Sequence, residues 1–344
     1  MSLDAFWSGF GSPDLLQAIG RSLAGLPQPP RRIAVALSGG ADSAMLAVHA
    51  AIFARRRNLE LHCFHVHHGL QAPAERWQAH VHDLAQWLGV PCHSLVVRVD
   101  TASSAGIESA ARDARYDALG QLAERMALQH ILLAHHRNDQ AETVILRLLR
   151  GSGPGGLAAM SDVTHRQGVT YLRPWLAVDR ADILAQASQF FLISGWGPVQ
   201  DPTNADDKYT RAAVRERLVP ALNERWPGWQ GTVTRHARQS AQVQEVLDEV
   251  AAQDFAGLAP DPDGISFSLA AWRLLSVARQ ALVLRYWLSL HGVRMPTEAR
   301  LLDIMKQLRG LHAMGHDRQM QVKHGSVWVR CTRGRVWLDT GQGA

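Results

Sequence analysis

Between Ile33 and Arg150, short β-branched runs alternate with longer amphipathic segments, and that alternation leaves few folds open. The runs Ile33–Leu37, Leu59–Val66, His93–Val99 and His130–Ala134 predict strands. The stretches Ser43–Arg57, Pro73–Leu88, Ile107–Leu128 and Asp139–Arg150 predict helices. Mostly apolar strands separated by helices build a parallel sheet covered on both faces, so the expected class is α/β, doubly wound and mostly parallel. Ligands on such sheets sit beyond the carboxyl ends of the strands. The loops after Leu37, Val66 and Ala134 are therefore where chemistry is expected.

A further helix is predicted from Pro13 to Leu26, ahead of the breaker Pro27-Gln-Pro-Pro30. Beyond Gly151-Ser-Gly-Pro-Gly-Gly156 the pattern loosens, passing through Gly168–Pro174 to a helix at Arg180–Phe191, a polar stretch Asp201–Asp207 and a basic helix from Arg211 to Asn223. From Pro227 onward the pattern is helical (Val233–Gln253, Leu269–His291, Thr297–Leu308). It closes on a hairpin-like segment, Met320–Leu338, bent at Gly334 or at Lys323-His-Gly325. The expected boundary lies at Trp226: a catalytic domain 1–226 and a smaller, mainly helical domain 227–344 ending in a β-hairpin.

Composition excludes several classes. With 47% hydrophobic and 19% charged residues the chain reads as globular. Its cysteines, Cys63, Cys92 and Cys331, form no C-x-x-C pair, so no disulfide framework or cysteine-based metal site is expected. No run of about 18 apolar residues and no basic-then-apolar leader occurs, so a cytoplasmic protein with no membrane partner is expected. All but three of the 36 basic residues are arginine, and the net charge is +5. Planar guanidinium groups suit a polyanion such as nucleic acid; a codon bias toward arginine explains the same composition, which does not separate the two.

Ser38-Gly39-Gly40-Ala41-Asp42-Ser43 follows the first strand directly and opens a helix, the setting a phosphate-binding loop requires. The glycines admit close approach of phosphates, the hydroxyls donate, and the helix start adds free N–H groups. Asp42 would repel phosphate unless it holds Mg²⁺ or orients a donor. Spacing alone also permits a Gly-Gly turn with Ser and Asp capping the helix. The loop matches neither the Walker nor the Rossmann glycine pattern.

Ser-Gly-Gly-x-Asp-Ser resembles the signature loop of the PP-loop, or N-type ATP pyrophosphatase, family. Four further segments resemble its tRNA(Ile)-lysidine synthase branch: His65–Leu70; Glu108–Tyr116; Ala134–Thr143 leading into Leu149–Leu157; and Asp201–Asn204 with Tyr209–Arg211 and Arg215. Ala278–Trp287 is similar to that branch's helical substrate-recognition domain; no counterpart of the additional C-terminal domain of longer members is expected. The resemblance implies a PP-loop fold. It implies that ATP adenylates O2 of the wobble cytidine in a CAU-anticodon isoleucine tRNA, and that free L-lysine then displaces AMP. ATP and Mg²⁺ are the implied cofactors, tRNA and lysine the partners; whether the chain forms a homodimer is left open.

The lysine ε-amine, with a free pKa of about 10.4, needs a base or a desolvating carboxylate before it attacks. Asp139 and Glu142, three apart at a helix start, answer that need. As a pattern, they also read as an acidic first turn complementing the helix dipole. Under the resemblance, Asp42, Asp139, Glu142 and Arg115 are the catalytic candidates, with Asp42 and Asp139 on Mg²⁺. Ser38 to Ser43 and His65 hold the nucleotide; Glu108, Arg112, His135, Arg211 and Arg215 meet substrate or tRNA. The intrahelical ladder Glu108/Arg112/Arg115, satisfied strand-end histidines and solvated helix charges are the structural alternatives. The family's paired acids read Asn138-Asp139 here, and its usual Arg-Asn reads Arg211-Ala212. Competing functions are a PP-loop tRNA thiolase, for which the expected cysteine pair is missing, a glutamine-dependent synthetase, for which no glutaminase triad is found, and a non-catalytic nucleotide- or RNA-binding module.

Overall fold

The computed structural model describes residues 3–67, 74–97, 107–199, 210–311 and 319–339. The chain divides into two compact units, Met1–Gln239 and Ser240–Ala344. In the first unit the elements are α1 (Leu3–Gly9), α2 (Pro13–Ala24), β1 (Arg32–Ala36), α3 (Ala41–Arg57), β2 (Glu60–His67), α4 (Ala74–Leu88), β3 (Cys92–Val96) and α5 (Ile107–Arg125). They continue through β4 (His130–Leu132), α6 (Arg137–Leu149), α7 (Pro154–Leu157), β5 (Val163–Arg166), β6 (Val169–Leu172), α8 (Arg180–Ser194) and α9 (Thr210–Ala213). A π-helical turn (Val214–Leu218) and α10 (Val219–Arg225) follow. The long α11 (Trp229–Ala256) holds the point of division, beyond the Trp226 at which the sequence pattern changes.

The six strands lie in the order β3-β2-β1-β4-β6-β5, all neighbours parallel except β5 against β6. Strand periodicity divides the apolar residues between two cores. Ile33, Val35, Leu61, Cys63 and Leu132 face a layer that includes α2, α3, α4 and α8. Ala34, Phe64, Ile131 and Leu133 face α5. Both faces are thus covered, as a doubly wound sheet requires. After β3 the chain returns to place β4 on the other side of β1, so strand order reverses between β1 and β4. Their carboxyl ends frame the crevice where such sheets bind ligands.

The β5–β6 hairpin falls where the sequence pattern loosens. Its strands are four residues each, and Gln167 (φ 51°) and Gly168 (φ 76°) both adopt the left-handed turn that suits a two-residue hairpin. The basic segment expected as one helix is α9, a π turn and α10. Pro220 supplies the cause: a regular α-helix would drive its ring into the carbonyl of Glu216, and the wider turn relieves that clash.

The second unit holds β7 (Ser266–Ser268), α12 (Leu269–Leu274), α13 (Val277–Leu290), α14 (Glu298–Gly310), β8 (Met320–His324), β9 (Val327–Thr332) and β10 (Arg335–Asp339). The stretch Leu269–His291 is two helices because Leu275 is extended and Ser276 caps α13, its hydroxyl accepting from Arg279 N–H. The closing segment is a three-stranded meander using both candidate bends, not one hairpin, and with β7 it forms the antiparallel sheet β7-β10-β9-β8. Inward residues Val322, Val329, Cys331, Val336 and Leu338 pack with Trp272, Trp287 and Leu308.

Candidate active site

The loop between β1 and α3 is held by its own hydroxyls. Ser43 Oγ accepts from Ser38 N–H (3.1 Å), lies 2.9 Å from Ser38 Oγ and donates to Gly40 O (3.1 Å). Gly39 has φ +92°, and a Cβ there would come within 3.1 Å of Val81 and 3.4 Å of Val199. Gly39 O in turn accepts from Val199 N–H. Glycine is required at 39 on both counts. His65 is buried, its Nδ1 2.8 Å from Leu37 O, so it braces the strand end from which the loop springs. Burial pushes its pKa down, and that imidazole is neutral.

Asp42, in the first turn of α3, faces Arg180 and His136. Both guanidinium nitrogens of the Arg180 fork, Nε and a terminal nitrogen, lie 3.3 Å from its two oxygens. His136 Nε2 lies 3.7 Å from one of them. Burial alone would raise the Asp42 pKa; His136 and Arg180 outweigh it and hold the carboxyl below its usual range. His136 is the N-cap of α6: its backbone N–H donates to Asp139 and its Nδ1 accepts from Asp139 N–H, a reciprocal capping box. Its Nε2 also lies 3.3 Å from Asp139 Oδ2. Asp42 and Asp139, from two helix starts, thus meet at one imidazole nitrogen.

Glu142 stands one turn beyond Asp139 and is buried with it. Arg215, from the π turn, donates to Glu142 Oε1 (2.7 Å) and Asp139 Oδ1 (3.1 Å). Arg211 donates to Thr143 Oγ1 (3.0 Å) and lies 3.7 Å from Asp139 and 3.9 Å from Glu142. Burial alone would lower the Arg215 pKa, but Glu142, Asp139 and Asp42 raise it above the ordinary value. Glu142 Oε2 is buried with no hydrogen-bond partner. The acid pair therefore keeps one unfilled acceptor.

A cationic wall adjoins this pair. His135 Nδ1 is likewise unpartnered, and burial, reinforced by Arg173, Arg112 and Arg211 against Asp139, pushes its pKa down. His135 is a neutral hydrogen-bonding group. Arg112 lies over the Tyr116 ring at 5.2 Å. Desolvation, then the charges of Arg112 and Arg211, lower the Arg115 pKa. Arg112 and Arg115 are exposed on α5, and guanidinium groups so placed suit phosphate. The Glu108 side chain, His68 to Leu70 and the segment Asp201–Tyr209 lie outside the described residues.

The PP-loop domain family matches residues 15–222, and the TilS substrate binding domain matches residues 267–337. The tRNA(Ile)-lysidine synthase of Bordetella bronchiseptica is 57% identical over 325 residues, 94% of this chain and 94% of that protein. The chain belongs to the tRNA(Ile)-lysidine synthase family. The Bordetella pertussis member is 58% identical over 92% of this chain and 99% of its own. The Ralstonia nicotianae member is 41% identical over 89% of this chain and 64% of its own. Among solved structures, a U34-tRNA thiolase from Methanococcus maripaludis matches with TM-score 0.55 and 16% identity over 66% of this chain and 78% of its own, a likeness of fold.

Within the family, the three cysteines separate this chain from sulfur chemistry. Cys63 and Cys92 are register partners inside the sheet, and burial raises both thiols, Cys92 to about 12. Cys331 lies in the second unit, its thiol also raised by burial. None has the thiolate character a sulfur carrier needs. The two departures from the family pattern also find places. Asn138 Oδ1 accepts from Arg180 N–H at 3.4 Å, which ties α6 to the start of α8, and Ala212 is buried. Asp42, Asp139, Glu142, Arg211 and Arg215 are brought together as one network, with Arg211 and Arg215 turned toward carboxylates. Sequence reasoning missed Arg180; its signal was a cation in a helix's first turn, where the dipole disfavours it.

Proposed function

We propose that this chain joins L-lysine to C2 of the wobble cytidine of the CAU-anticodon isoleucine tRNA, using the two steps of its family. In the first, cytidine O2 attacks the α-phosphate of ATP and pyrophosphate leaves. In the second, the lysine ε-amine attacks C2 and AMP leaves with the former O2. The Ser38–Ser43 loop, at the crevice between β1 and β4, holds the phosphates. Asp42 and Asp139, hard oxygen donors that both approach His136 Nε2, would hold Mg²⁺, which characteristically takes one or two carboxylates plus substrate phosphates. When bound, the ion neutralises charge on those phosphates.

The observation that carries the lysine site is Glu142 Oε2 beside Asp139, buried without a hydrogen bond and with Arg211 Nε 3.9 Å away. An ammonium group is the donor this acceptor lacks. Asp139 and Glu142 draw the lysine head in and exclude water, while Arg211 and Arg215 disfavour its protonated form by like charge. Glu142 then accepts the proton that the amine must shed. Arg112 and Arg115 face the tRNA backbone, whose phosphates fix register without reading sequence. Neutral His135 offers a hydrogen bond to the α-phosphate.

The test incubates the protein with ATP, labelled lysine and unmodified tRNA transcripts. Lysine entering only the CAU-anticodon isoleucine tRNA, with AMP and pyrophosphate as products, supports the reading; ADP formation or lysine-independent turnover overturns it. Glu142→Gln should keep pyrophosphate release in the first turnover while lysine transfer falls about 100-fold or more.

A further inference from the structure

Arg180 is the first residue of α8, a position whose dipole opposes a cation, and no apolar packing explains it: its side chain is 40% exposed. Its base is fixed on three sides. Asp179 caps α8 by accepting from Ala181 N–H at 3.0 Å. Asp179 also pairs with Arg137 of α6, and the Arg180 N–H donates to Asn138 of α6. The guanidinium that emerges from this clamp lies against Asp42 in the phosphate loop, both prongs at 3.3 Å. Three helix starts converge there: α3 through Asp42, α6 through its cap His136, and α8 through Arg180.

We propose that Arg180 is the pyrophosphate-holding residue of the adenylation step, stored on Asp42 until nucleotide arrives. The inference rests on the reading that the Ser38–Ser43 loop takes the phosphates of ATP. At 3.3 Å the two contacts are long for a charge-assisted fork, so the guanidinium is available to a stronger anion. Once nucleotide enters the loop, the clamped guanidinium exchanges Asp42 for the β- and γ-phosphates. As cytidine O2 bonds to the α-phosphorus, the bond from that phosphorus to the bridging oxygen breaks. The electron pair stays on pyrophosphate, and Arg180 donates two hydrogen bonds to the charge that develops. No proton passes through Arg180. The same pairing keeps the empty loop from carrying an unbalanced carboxylate.

The experiment measures binding of inorganic pyrophosphate and of AMP by calorimetry, without tRNA or lysine, to the full chain and to Arg180→Ala and Arg180→Lys. Arg180→Ala should weaken pyrophosphate about tenfold or more while AMP binding changes less than twofold, and Arg180→Lys should recover part of the loss. Equal weakening of both ligands, or no change in either, overturns the proposal. Should Arg180→Ala not fold, Arg180→Lys decides alone: pyrophosphate weakened and AMP unchanged supports the role, both unchanged refutes it. Because neither ligand involves lysine or tRNA, failure of the lysine-transfer reading leaves this outcome intact, and the reverse also holds.

Discussion

Two arginines and two carboxylates set the balance of charge at the site, and their burial is unequal. Glu142 and Asp139 side chains are 6% and 12% exposed, Arg215 28%. Removing the arginine strands two nearly buried acids, so Arg215→Gln should lower stability by about 2 kcal/mol or more in urea unfolding. Adding Glu142→Gln should restore much of it; a double variant no more stable than the single one contradicts the pairing. His49 offers a second test. It accepts from Ser12 N–H at Nε2, donates to Met45 O at 2.8 Å, and burial lowers its pKa to about 4. As pH falls below 6.5 the unfolded chain takes the proton before the folded one, so stability drops until about pH 4. The loss between pH 7 and 5 should be about 2 kcal/mol, and His49→Gln, which keeps a donor and an acceptor, should remove it. Residue types at these positions are readable in a sequence; pairings such as Arg180 with Asp42, 138 positions apart, exist only once α8 docks on α3.

The elements that place the site are the phosphate loop and the π turn. Gly39→Ala would strain a positive φ and press on Val81, so ATP binding should weaken at least tenfold and the melting temperature should fall by a few degrees. Unaltered ATP affinity would show that the loop tolerates a side chain there. Pro220 widens the turn that carries Arg215, and Pro220→Ala lets the segment return to α geometry, rotating Arg215 away from Glu142. Turnover should fall several-fold, and because the helix propensity gained offsets part of the stability lost with the Arg215–Glu142 contact, the melting temperature should fall less than in Arg215→Gln. Strong periodicity made α4 and α6 legible and apolar runs the first four strands, while α3, buried nearly all round, was legible from its length and the loop that opens it. Short strands such as Val163–Arg166, with alternation too brief to separate from loop, were not. Nor was the π turn, since its cause is one proline within an otherwise helical pattern.

At the scale of the molecule, an arginine-rich chain of net charge +5 gathers guanidinium groups on one wall of its catalytic crevice. Binding of tRNA should therefore weaken with salt, and Arg112→Gln with Arg115→Gln should reduce the log–log slope by about 2; an unchanged slope would place the phosphates elsewhere. The doubly wound sheet and the location of its ligand edge followed from alternation alone, whereas the second unit's four-stranded sheet did not, because its strands are distant in sequence from β7. The central claim concerns one oxygen atom. With ¹⁸O placed at O2 of the wobble cytidine, a single turnover with ATP and lysine should deliver the label to AMP. Label left in the tRNA or released to water would contradict adenylation of that oxygen.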